Sequence, residues 1–89
     1  MKIKGTFVMR DIAGDTVIVP VGETALEYNG MITTTPTGAA IWAKLEEGIS
    51  DRDELVRTLL DRFEVDEETA KKDVEEFLSQ LEKGGFLQD

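Results

Sequence analysis

Eighty-nine residues, 40% of them hydrophobic, with a formal net charge of −9, suffice for one domain and leave little room for a second core. The sequence has no cysteine and no histidine, which removes disulfides, thiolate chemistry, the usual zinc, iron and copper ligands, and the commonest general base. The charge is uneven, with six acids and four bases in residues 1–48 against thirteen acids and six bases in residues 49–89, a balance that repels nucleic acid because phosphate contacts need a basic patch.

No segment approaches the ~18 consecutive apolar residues of a membrane span, and the polar start from Met1 to Thr6 lacks the apolar run of a secretory signal. The expectation is a soluble, cytoplasmic chain of one domain over residues 1–89, without nucleic-acid or membrane partners.

In chain order, Thr6 to Ile12 is rich in β-branched and large apolar residues and reads as a strand. Ala13-Gly14-Asp15 supplies turn chemistry, and Thr16 to Pro20 completes a hairpin, with Val17, Val19 and Val21 on one face and Thr16 and Ile18 on the other. Pro20 cannot donate to a ladder and marks a strand end or an edge. Gly22 to Leu26 reads as a connection. Asn29-Gly30 signals a turn, and Met31 to Thr35 forms a third, β-branched strand.

Three helices follow. Pro36 and Thr37 start the first, Ala39 to Glu47 continues it with Ile41, Trp42 and Leu45 inward, and Gly48 ends it. The second begins at Ser50, with Asp53 in a box-like capping position, and buries Leu55, Val56, Leu59, Leu60 and Phe63. The third starts at Asp66, with Glu67 and Glu68 where the helix dipole favours acids. Its stripe is Ala70, Val74, Phe77, Leu78 and Leu81, Gly84-Gly85 stops it, and Phe86-Leu87 folds back on the core. The predicted fold class is α+β, in the order β-β-β-α-α-α, with one layer of helices on a small antiparallel sheet.

Few constellations suggest catalysis. The pairs Glu46-Glu47, Glu67-Glu68 and Glu75-Glu76 lie on predicted helix surfaces, where no burial raises a carboxyl into general-acid range. Thr33, Thr34, Thr35 and Thr37 have no histidine to activate a hydroxyl, and strand propensity and capping account for them. The glycines are too dispersed for a phosphate cradle. Gly38 alone is odd, within the first turn of a helix, where close packing would require it. Trp42 reads as core. Lys71 flanks the apolar stripe beside Leu78 while Lys72 points further away, and both have glutamates at i,i+4 spacing. No catalytic residue, metal or cofactor is expected.

The stretch Pro36-Thr37-Gly38-Ala39-Ala40-Ile41-Trp42, with Leu45 and Glu47-Gly48 behind it, resembles the T-G-A-x-I-W signature of the PqqD family. The tail is similar too, through Leu59, Phe63, Val65, Asp66, Asp73-Val74, Phe77-Leu78, Leu81 and Gly84-Gly85-Phe86-Leu87. That family includes the protein of pyrroloquinoline quinone biosynthesis and the peptide-recognition elements of ribosomal natural-product pathways. Thr34-Thr35 stand where its members often carry Leu-Asn.

The resemblance implies a winged-helix-like domain that binds the leader segment of a precursor peptide and presents the rest to a modifying enzyme, often a radical SAM enzyme. It implies that the leader adds as a strand beside the third strand and packs on the third helix, which suits the unpaired backbone groups of an edge. Carried onto this chain, the peptide-binding residues are Met31, Ile32, Thr33, Thr34 and Thr35 on the edge, and Lys71, Val74, Glu75 and Leu78 on the helix, with Lys71 meeting a leader carboxylate. An unprotected edge also permits a dimer by sheet pairing. The competing readings are a winged-helix DNA-binding regulator built on the second and third helices, a small enzyme using carboxylates alone, and an interaction subunit that has lost peptide capture.

Overall fold

The computed structural model describes residues 2–27 and 31–88; the expected Asn29-Gly30 turn lies outside them. The strands are β1 (Lys2–Ile3), β2 (Phe7–Ile12), β3 (Asp15–Pro20), β4 (Ile32–Thr34) and β5 (Leu87–Gln88), and the helices α1 (Thr24–Glu27), α2 (Pro36–Glu46), α3 (Arg52–Arg62) and α4 (Glu67–Gly84). The main sheet is antiparallel in the order β2-β3-β4, as expected, and α2, α3 and α4 are the three predicted helices.

Three elements go beyond the sequence reading. A two-stranded sheet joins β1 to β5, pairing Lys2 with Gln88 and Ile3 with Leu87, and α1 adds one turn in the connection after β3. Two-residue strands carry too little pattern to be read from sequence; here the other terminus holds them.

The β2–β3 hairpin turns on Ala13 and Gly14, both with positive φ, at 52° and 87°. That is the combination a two-residue type I′ turn needs, and it sets the register from Ile12 opposite Asp15 to Phe7 opposite Pro20. The core gathers under one face of this sheet. Trp42, Ile41, Ile18, Leu55, Leu59, Ala70 and Leu81 are fully buried, and Phe7 meets Trp42 edge to face at a centroid distance of 5.3 Å. Phe86 folds back as predicted and contacts Phe7 at 5.5 Å.

Two expectations are corrected. Leu60 is exposed, not core: α3 turns Leu55, Val56 and Leu59 inward, and Leu60 falls past the edge of that stripe, toward water. The cap of α3 is Asp51, whose carboxylate accepts from the Asp53 N–H at 3.1 Å, and not Ser50, one residue too early. Ser50 cannot reach the first free amide when Asp51 is the residue with extended backbone.

At the start of α4, the Asp66 carboxylate accepts from the Thr69 N–H at 2.7 Å, and hydrogen bonding from Thr69 holds its pKa below the ordinary value of 3.8. A lowered carboxyl pKa contributes stability that is complete above the unfolded-state value and is lost as pH falls through the folded value. An NMR titration should therefore find the Asp66 carboxyl titrating below 3.8, with the first amides of α4 losing exchange protection over the same range. An unshifted titration would remove the cap.

Candidate functional site

Along β4 the sheet ends without a further strand among the described residues. Which backbone groups of β4 remain free follows from the ladder's alternation. Val21 N–H donates to the Thr6 carbonyl at 3.0 Å, one step beyond the Phe7–Pro20 pair, so this is a bonded pair. In an antiparallel ladder every second pair exchanges bonds. Asp15, Val17 and Val19 therefore bond toward β2, and Thr16 and Ile18 toward β4. Since Thr16 pairs with Thr34 and Ile18 with Ile32, those two residues of β4 bond inward. Thr33 turns its N–H and C=O to the open edge. Pro20 shares the parity of Thr16 and Ile18, and the described β3–β4 ladder reaches only to Ile18 opposite Ile32, so its missing N–H interrupts none of those bonds.

Beside this edge lies a cleft of about 600 Å³. Its sheet side is Gly14 to Thr16 with Thr33 to Thr35, its end is the first turn of α2 at Pro36, Thr37 and Gly38, and its helix wall is Asp73, Glu76, Phe77 and Gln80 of α4. Those four positions recur at i, i+3, i+4 and i+7, one flank of a helix, and Phe77 is shared with the core stripe.

The T-G-A-x-I-W residues shape the end of this cleft. Thr35 caps α2 by accepting from the Gly38 N–H at 3.2 Å, the service an Asn would give at the same place, and Pro36 occupies the first helical position, where its missing N–H is harmless. Gly38 is buried where β4, α2 and α4 converge. A Cβ there would overlap the Thr34 hydroxyl and stand 3.1 Å from the Phe77 ring. The close packing expected of Gly38 is thus present, and Gly38→Ala should cost about 1–3 kcal/mol in urea unfolding, as overpacking does. A neutral substitution would mean that β4 and α4 are not held this closely.

The predicted site residues are distributed as follows. Ile32, Thr33 and Thr34 form β4; Met31 precedes the strand and is exposed, and Thr35 leaves it to cap α2. On α4, Val74 and Leu78 are each 1% exposed and point into the core. Glu75 is bound by Arg52 of α3 at 2.6 Å, and Lys71 pairs with Glu67 at 3.4 Å on the surface. Lys71, Val74, Glu75 and Leu78 therefore do not line the cleft with β4. Lys71 and Glu75 lie on the flank of α4 beyond the core stripe and Val74 and Leu78 lie in the stripe itself, whereas Asp73, Glu76, Phe77 and Gln80 form the flank toward the cleft. Gly14, Asp15, Thr16, Pro36, Thr37 and Gly38 complete the lining, and the sequence reading assigned none of them to the site. The i, i+3, i+4, i+7 recurrence was the available signal, but it fits both flanks equally.

Asp15, Asp73 and Glu76 bring three carboxylates to the cleft, and no lysine or arginine lines it. Lys72 reaches Glu76 only at 3.9 Å, with both side chains well exposed. No group of three or more metal-ligating side chains capable of holding an ion occurs among the described residues, and no helix among them is long and apolar enough to cross a membrane.

A family model described as "Coenzyme PQQ synthesis protein D (PqqD)" matches residues 8–87. The solved structure "TbiB1 in Complex with the TbiA(beta) Leader Peptide" is similar at 26% identity and a TM-score of 0.71, covering 99% of this chain and 95% of that one. "Lasso peptide synthetase B1 complexed with the leader peptide" shares the fold at 16% identity and a TM-score of 0.70, covering 99% and 96%. No curated protein matches the chain.

Proposed function

Since the chain belongs to the PqqD family, we propose that it captures the leader segment of a ribosomally made precursor peptide by strand addition to β4 and presents the rest to a modifying enzyme. The observation that carries this reading is the open edge at Thr33 facing a cleft walled by α4. An added strand there takes the free N–H and C=O for affinity and places alternate side chains against the helix for specificity. Both similar structures are complexes with leader peptides, in keeping with this use of the fold.

In this reading residues 1–89 act as one peptide-recognition domain in the cytoplasm and have an accessory, non-catalytic role. The peptide contacts are Ile32 to Thr35 with Asp73, Glu76, Phe77 and Gln80, in place of the far-flank residues of α4. The family resemblance makes a radical SAM enzyme the partner to test first. A DNA-binding role gains nothing from the fold, because Glu67, Glu68, Glu75 and Glu76 are all exposed on α4 and would face phosphates.

Titrating isotope-labelled protein with the leader of a precursor peptide encoded beside it tests the reading by NMR. Amide shifts should concentrate at Thr33 to Thr35 and along Asp73 to Gln80. Shifts confined to other surfaces would overturn strand addition at β4.

A further inference from the structure

The lining of the cleft says more about the peptide than that it is extended. Asp73 is half-buried, and neither its carboxylate nor that of Asp15 makes a hydrogen bond or ion pair among the described residues. The other acids of α4 are exposed, Glu67, Glu75 and Glu76 beside Lys71, Arg52 and Lys72, and Glu68 and Glu82 without an ion pair among the described residues. Asp73 and Asp15 thus leave negative charge uncompensated in the cleft beside the open strand edge, with Glu76 only weakly offset by Lys72. We infer that the peptide captured here presents a lysine or arginine toward α4, next to an apolar side chain on the same face. The inference rests on strand addition at β4.

Geometry sets the spacing. A strand added at Thr33 turns every second side chain toward α4, ~7 Å apart. Along α4, Asp73 and Phe77 are four residues apart, a rise of ~6 Å. Where the added strand runs along the helix, one α4-facing residue meets Asp73 and Glu76, with Asp15 across the cleft, and the next, two residues away, meets the Phe77 ring. The cation would compete for Glu76 only with Lys72, whose exposed contact at 3.9 Å is worth little. The same acids disfavour a second copy of this chain as occupant, because pairing β4 with β4 would bring two acidic linings together.

The test is selection of random nine-residue peptides displayed on phage, with the wild-type domain as bait, followed by NMR of the selected peptides on labelled protein. The expected result is enrichment of Lys or Arg two positions from an apolar residue, with peptide shifts at the Thr33 amide. Asp73→Asn/Glu76→Gln should weaken those peptides roughly three- to ten-fold, the effect of two exposed ion pairs, and the loss should shrink as salt rises. Peptides that shift Thr33 but are neutral or acidic at that position would overturn the charge preference and leave strand addition standing. Peptides that bind without touching Thr33 would overturn both.

Discussion

Thr33→Pro should weaken leader binding by about ten-fold or more, roughly 1.4 kcal/mol, while leaving the fold intact. The parity of the β3–β4 ladder puts the Thr33 N–H on the open edge, because the flanking pairs Ile18–Ile32 and Thr16–Thr34 carry the inward bonds. Proline deletes that outward donor and places its ring where the incoming strand must pack. No bond to β3 is lost, and edge strands accept proline where the N–H faces solvent. Thr33→Ala keeps the backbone donor and should bind nearly as the wild type does. Isothermal titration against the same leader separates the two variants, and circular dichroism confirms that both are folded. If the proline variant binds as tightly as wild type, the peptide does not pair with this edge, whatever else it touches.

The second large effect is on stability. Trp42 is fully buried beneath the sheet, in edge contact with Phe7, and Phe7 in turn meets Phe86 near the C-terminus. Trp42→Ala should cost about 3–5 kcal/mol, against a total of roughly 5–13 kcal/mol for a domain of this length. Urea unfolding should shift strongly to lower concentration, and a less stable starting protein would lose its dispersed NMR spectrum altogether.

Trp42→Phe is the informative companion. The indole Nε1 is buried with no hydrogen-bond partner among the described residues, and an unsatisfied donor costs about 1–3 kcal/mol. Replacing the indole removes that cost along with part of the buried area, so Trp42→Phe should lose much less stability than Trp42→Ala. Equal losses would mean that the Nε1 is satisfied in solution, by a bound water for example.

The binding and stability variants address different layers of the molecule. Trp42 holds α2 against the sheet, Gly38 lets β4 and α4 approach the start of α2 closely, and Thr33 carries the edge itself. A change at Trp42 should affect binding only through folding, whereas Thr33→Pro should affect binding without affecting folding.

The elements with strong local pattern were legible in the sequence. Turn chemistry at Ala13-Gly14, the β-branched run from Val17 to Val19, the stripe Ala70, Val74, Phe77, Leu78 and Leu81, and the stop at Gly85 each follow from local backbone and side-chain preferences. So did the burial of Trp42 and the tight packing at Gly38, because a lone glycine in a first helical turn has few other uses. Family membership was also within reach, since the T-G-A-x-I-W residues are caps and core whose spacing is set by α2 itself.

Other features depended on distant parts of the chain. β1 and β5 are two residues each and exist only because the termini meet. Leu60 satisfies a helical stripe yet lies outside the contact that α3 makes. The helix wall of the cleft is the sharpest case. Both flanks of the α4 stripe repeat at i, i+3, i+4 and i+7, one through Lys71, Val74, Glu75 and Leu78, the other through Asp73, Glu76, Phe77 and Gln80. Periodicity locates the stripe but is symmetric about it. Only the packing of α4 between α3, where Arg52 binds Glu75, and the start of α2, where Phe77 meets Gly38, decides which flank faces the open edge.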